Sequence, residues 1–235
     1  MILGLSTGVL LDTLSFEEIL SFYKKIGCEA IELSPSHWPF ATKELLKDFK
    51  YVSVHAGRNF QYDNNEETHQ ELKALEEKHK EIGFKCAVIH PPFMKDWSVL
   101  NKYSLPWVVE NMDQTNTIGT TPEEVPAYSL KACCGVVLDL NHCFTHDPTM
   151  KLADKFYEVL GGRIKEIHLS GYKDNTDEER HVPLYLTGQL EILKKVKNLP
   201  IIGEPSGGTK ESLEKEFAFL KQMLQKEFNE DDSAE

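Results

Sequence analysis

The sequence predicts a single (β/α)8 TIM barrel over residues 1–228, on three observations. Short, nearly continuous apolar runs rich in Val, Ile and Leu recur eight times, the pattern of strands covered on both faces. Amphipathic, capped segments separate them, so strand and helix alternate. Gly4 and Gly8 do not form the G-x-G-x-x-G turn that a doubly wound open sheet would want after its first strand.

The strands are expected at 2–6, 30–33, 51–55, 87–90, 107–110, 136–140, 164–169 and 201–203. A first helix over 16–26 carries Phe16, Ile19, Leu20 and Tyr23 on one face, with Thr13 or Ser15 as cap and Gly27 as stop. Residues 42–48 form a weak helix. The segment 66–82 aligns Leu72, Leu75 and Ile82 and stops at Gly83, whereas 97–102 has no clear period. A helix over 122–132 opens on Thr-Pro-Glu-Glu, with proline in the first turn. Another, 148–160, follows Asp147 and ends at Gly161-Gly162. A short helix covers 190–196, and 210–228 repeats Leu213, Phe217, Leu220 and Leu224 at helical spacing. Residues 229–235, NEDDSAE, read as an acidic disordered tail.

The 235 residues carry a formal charge of −12. That surplus argues against nucleic acid and anionic membranes as partners, although bound divalent cations would offset part of it. No apolar run approaches membrane-spanning length. The start, MILGLSTGVLLDTL, lacks a basic leading segment and reads as a strand, not a signal peptide. The five cysteines, Cys28, Cys86, Cys133, Cys134 and Cys143, form no C-x-x-C pair. Free thiols in a reducing, cytoplasmic setting are expected. Nothing in the sequence fixes an oligomeric state.

The run GVVLDLNHCF, residues 135–144, ends a buried strand on Asp139 and then His142. Other strands end similarly: His55 closes the third, His90 the fourth, Glu110 the fifth and Glu204 the eighth, while the seventh carries His168 and leads to Glu179-Arg180-His181. A parallel barrel brings all these carboxyl ends to one face. One histidine at a strand end is ordinarily structural. Several carboxylates near one axis are harder to explain, since they repel and resist desolvation. A cation removes both costs. Imidazole with carboxylate suits Zn²⁺ or Mn²⁺, one to three ions, and no nucleotide cofactor is implied. Elsewhere the plain readings hold: His69 and His79 solvated, His37 and His146 in loops, Cys143 a buried thiol, Glu32 in an ion pair within the barrel. Trp38 and Phe93 could wall a pocket or simply pack.

The pieces VSVHAG, VIHPP, VVENMD, VLDLNHCF, EIHLSGY, ERHVPL and IIGEPSGG, in that order, resemble the xylose isomerase-like TIM-barrel superfamily, which holds sugar phosphate isomerases, tagatose-type epimerases and endonuclease IV. The epimerase branch implies one metal on Glu110, Asp139, His168 and Glu204, with His142 and Arg180 holding substrate oxygens. It implies a proton shift between adjacent carbons through an enediolate, with Glu110 and Glu204 as acid and base. The endonuclease IV branch implies three zinc ions and adds His55, His90, His142, Glu179 and His181. There Glu179 stands where that branch has aspartate, which weakens the match at the third ion. That branch hydrolyses phosphodiesters at abasic DNA sites.

Both ligand sets are present, so the loops decide the ranking. Those above the strands offer Arg58, Lys95, Lys173 and Arg180 against ten acidic residues, and the loops after strands one and five carry no Lys or Arg. A DNA-binding rim needs the opposite balance. A small sugar or sugar phosphate therefore ranks first as partner, an abasic-site phosphodiesterase second, and a barrel that binds metal or carbohydrate without turnover third. Trp38 is a candidate substrate wall. Ser206 and Gly207, before the last helix, could offer backbone N–H groups to a phosphate, or simply form a capped turn.

Overall fold

A computed structural model describes residues 1–11, 13–57, 61–131, 135–173, 181–206 and 208–231. Eight parallel strands close into a barrel in sequence order, with the first paired to the last. They are β1 (Ile2–Ser6), β2 (Ala30–Leu33), β3 (Tyr51–His55), β4 (Cys86–Ile89), β5 (Trp107–Glu110), β6 (Gly135–Asp139), β7 (Ile164–Leu169) and β8 (Pro200–Gly203). Helices pack outside: α1 (Phe16–Ile26), α2 (Lys43–Leu46), α3 (Glu66–Ile82), α4 (Glu124–Lys131), α5 (Leu140–His146), α6 (Lys151–Leu160), α7 (Leu184–Thr187), α8 (Leu190–Leu193) and α9 (Lys210–Asp231).

The caps explain where the long helices begin and end. Ser15, not Thr13, caps α1 through a reciprocal box with Glu18, and Gly27 ends it in the left-handed conformation at φ 89°. Asn65 caps α3 and Gly83 stops it. Several elements differ from the sequence reading: α7 was not expected, and α8 stops at Leu193 where a helix to residue 196 was expected. Residues 148–150 lie before α6, because Asp147 accepts from Thr149 and Leu152 in a turn of its own. The helix α5 follows β6 without any loop and was not expected. Helix α9 continues through Asp231, beyond the boundary expected at 228.

Strand alternation builds two cores. Outward residues such as Leu5, Ile31, Val54, Ile89 and Leu138 meet the helices, while Ala30, Tyr51, Cys86, Val88, Val108, Val137 and Ile202 fill the barrel. Gly4 allows β1 to approach β2: a Cβ there would sit 1.8 Å from the carbonyl oxygen of Ala30. Among the described residues no helix is long and apolar enough to cross a membrane. Cys28, Cys86 and Cys143 are free and buried.

Candidate metal centre

The same alternation that points Val108 and Val137 into the barrel points Glu110 and Asp139, two residues later, into its mouth. Glu110, Asp139, His168 and Glu204 each offer one ligand atom, and those atoms lie within 4.8 Å of one another. His168 Nδ1 stands 3.2 Å from Glu204 Oε2 and 3.5 Å from Glu110 Oε1. His55, His90 and Glu110 form an adjoining group, and Asp139, His142 and His181 a third. Glu110 and Asp139 are therefore each shared between two groups.

Local structure aims these side chains. Asp139 caps α5: one carboxylate oxygen accepts from the His142 N–H at 2.9 Å, leaving Oδ2 to face the mouth. The Asp139 N–H donates to Asn111 Oδ1 at 2.7 Å while Asn111 Nδ2 donates to the Asp139 carbonyl, which locks β5 to β6 at the rim. His142 Nδ1 lies 2.6 Å from the Asn111 carbonyl, so Nδ1–H donates there and Nε2 points toward Asp139 Oδ2, 3.6 Å away. An antiparallel bridge between Gly171 and Val182 returns the chain to the rim, and His181 Nδ1 meets Ser170 Oγ at 2.9 Å.

Charge at the mouth is dense and dry. Burial opposes ionisation of Glu110, but His90 and His168 beside it hold its carboxyl well below the usual range. Burial, reinforced by Glu110, pushes Asp139 up to about 6 against the pull of His142 and His168. Burial alone would lower His168. Glu204, Glu110 and Glu32 around it instead raise it well above the ordinary value. Asp139 Oδ2 and His168 Nδ1 are buried and make no hydrogen bond. A carboxylate and an imidazole that leave ligand-capable atoms without a hydrogen bond in a buried pocket fit a divalent cation. The groups open onto a cleft of about 260 Å³ lined by His90, Phe93, Glu110, His142, His181 and Glu204, which adjoins a second of about 380 Å³ containing Ser206. A larger cleft, about 600 Å³, lies at the opposite end, around Met1 and Phe228. The histidines and carboxylates of the three groups gather at the first two, at the carboxyl ends of the strands.

Of the sequence candidates, Glu110, Asp139, His168, Glu204, His55, His90, His142 and His181 converge. Glu179, Arg180 and Gly207 lie outside the described residues. Ser206 is exposed at the cleft rim. Trp38, read as a pocket wall, is only 4% exposed: the turn Trp38–Phe40 folds the indole back into the outer core. Phe93 does line the cleft and stacks on His90. His37 is not a plain loop residue; it is buried, stacks on Phe16 and meets Ser34 Oγ. His69 is held by Tyr103 and Asn64, not merely solvated. Asn111, Ser170 and Glu166 escaped the sequence reading.

Fold and site together define a parallel β/α barrel whose carboxyl-end mouth is lined with side chains able to ligate a metal. The chain has a closed (β/α)8 barrel fold, which it shares with several solved structures. No family model matches this sequence, and no curated protein sequence matches it either. Among solved structures, a D-tagatose 3-epimerase-like protein superposes with TM-score 0.70 at 18% identity, covering 98% of this chain and 99% of that one. D-psicose 3-epimerase from Clostridium cellulolyticum H10 gives 0.68 at 12%, over 96% and 98%. The IOLI protein, crystallised with a bound zinc atom, gives 0.67 at 19%, over 96% and 99%.

Proposed function

We propose that this chain is a divalent-metal-dependent isomerase or epimerase acting on a small sugar or sugar phosphate. The observation that carries this is the convergence of Glu110 and Glu204, from β5 and the end of β8, on the same His168 nitrogen. Glu110, Asp139, His168 and Glu204 would hold the ion. Bound there, a Zn²⁺ or Mn²⁺ supplies Lewis acidity toward a carbonyl and its neighbouring hydroxyl. One glutamate would take the proton from the carbon beside the carbonyl, and the other, itself protonated, would deliver its proton to the opposite face of that carbon in an epimerase or to the neighbouring carbon in an isomerase. His142 Nε2, freed because Nδ1–H is spent on Asn111, holds a substrate oxygen. Phe93 covers one wall and limits water. The epimerases of the same fold favour this substrate class.

A second reading, a multi-zinc phosphodiesterase, is favoured by one observation: His55 and His90 add a ligand group on Glu110, and His142 and His181 another on Asp139. One experiment separates the two. Purified protein loaded with Mn²⁺ or Zn²⁺ is assayed on ketoses and ketose phosphates and on an abasic-site duplex. Interconversion of a sugar with an intact duplex is the expected result. Nicking of the duplex would replace the first reading with the second. Silence on both, with metal bound, would leave a binding protein.

A further inference from the structure

Below the mouth lies an acidic pair that the proposed chemistry does not use. Glu166 stands two residues before His168 on β7, so both side chains point into the barrel. Both are wholly buried, as is Glu32 on β2. Glu166 Oε1 lies 2.8 Å from His168 Nε2, whereas Glu32 Oε2 lies 3.4 Å from the same nitrogen and Glu32 Oε1 accepts from Ser6 Oγ at 3.0 Å. A carboxylate in a dry interior is costly unless something compensates it. The imidazole N–H is the charge-assisted donor within reach.

We propose that Glu166 is the positioning residue of the centre: it accepts the Nε2–H of His168, so that the ring is fixed in orientation and Nδ1 is the nitrogen presented to the metal. This rests on the reading of the mouth as a metal site. The geometry gives the two ring nitrogens different jobs. Nδ1 faces Glu110 and Glu204 at the mouth, and Nε2 faces Glu166 beneath it. A histidine ligand whose second nitrogen is held by a carboxylate is both oriented and made more basic. Glu32, farther off and already bonded to Ser6, is the lesser partner. Glu32, Glu166 and His168 also bring ligand atoms within 4.8 Å of one another. The 2.8 Å approach of Glu166 to Nε2 is a hydrogen-bond distance, and under this proposal the inner cluster holds a proton on Nε2 in place of a second cation, a choice that the test below decides.

The test uses the full chain with histidine labelled by ¹⁵N. In the wild-type protein, with and without Zn²⁺, His168 should show a proton on Nε2 with a strongly hydrogen-bonded signal. Glu166→Gln should move that signal toward an ordinary imidazole N–H. In competition with a chromophoric chelator it should weaken Zn²⁺ binding by about 10- to 100-fold. Glu32→Gln should stay closer to wild type. Thermal unfolding of the metal-free proteins separates this from general damage, since a merely structural residue would not move the Nε2 signal of a folded variant. An Nε2 without a proton in wild type overturns the proposal. So does a folded Glu166→Gln with wild-type Zn²⁺ affinity, or one that simply loses one of several counted ions with the others unchanged. Should Glu166→Gln not fold, the wild-type Nε2 signal alone decides. A wild-type protein that takes up no divalent ion would remove the proposed function, while the proton on Nε2 would still decide whether Glu166 holds His168.

Discussion

Glu110 Oε2 lies 2.8 Å from His90 Nε2, and its other oxygen faces His168. One carboxylate thus spans two ligand groups. Glu110→Gln should strip metal from both, and metal analysis after dialysis should find fewer ions per chain than in wild type. His90→Ala should empty only the group built with His55. If that variant keeps the wild-type count, His55 and His90 are not ligands.

Glu204 reaches the centre from the end of β8, where its N–H donates to the Leu169 carbonyl at 2.9 Å. Glu204→Gln keeps that backbone bond and loses the proton-transfer group. We expect kcat on the sugar substrate to fall by about 10²- to 10⁴-fold, with weaker metal binding. Steady-state rates near wild type would take Glu204 out of the site.

Glu216, buried on α9, accepts from the Leu184 and Tyr185 N–H groups at 2.9 and 3.0 Å and so holds α7 beside the rim. Burial pushes its carboxyl up to about 7, against the pull of those two N–H bonds. The sign follows from proton uptake: a carboxyl raised in the folded state favours folding below its unfolded value near 4.5, and that contribution fades as pH rises to about 7. Glu216→Gln does not titrate. Relative to wild type it should therefore gain stability across that window, by at most about 3 kcal/mol. Urea unfolding of both proteins at several pH values checks it. A difference that does not vary with pH would show that Glu216 titrates normally.

Gly4→Ala forces a methyl group against the backbone of β2, which cannot step aside without breaking the β1–β2 register. A loss of about 3 kcal/mol or more is expected. A melting temperature within a degree or two of wild type would contradict the closeness of that strand pair.

The barrel was legible because burial on both faces writes itself into the chain as short apolar runs, and helix ends write themselves as Ser15, Gly27 and Gly83. The residues at strand ends could be listed for the same reason. What the runs do not encode is the start of α5: Asp139 ends β6 and caps a helix at once, so no polar loop marks the change. Nor do they say that Trp38 turns inward, since an indole beside a proline reads equally well as wall or core.

By itself the sequence determined the alternation and the set of acids and imidazoles at the strand ends, because these follow from local periodicity and caps. Tertiary structure decided which of them meet. Glu110 and His168 are far apart in the chain, and only the stagger of paired strands sets both at one depth. It also drew Glu166 and Glu32 beneath them. Two residues apart on β7, Glu166 and His168 had to share a face, but only ring closure made that face the dry interior where a hydrogen bond to Nε2 matters most.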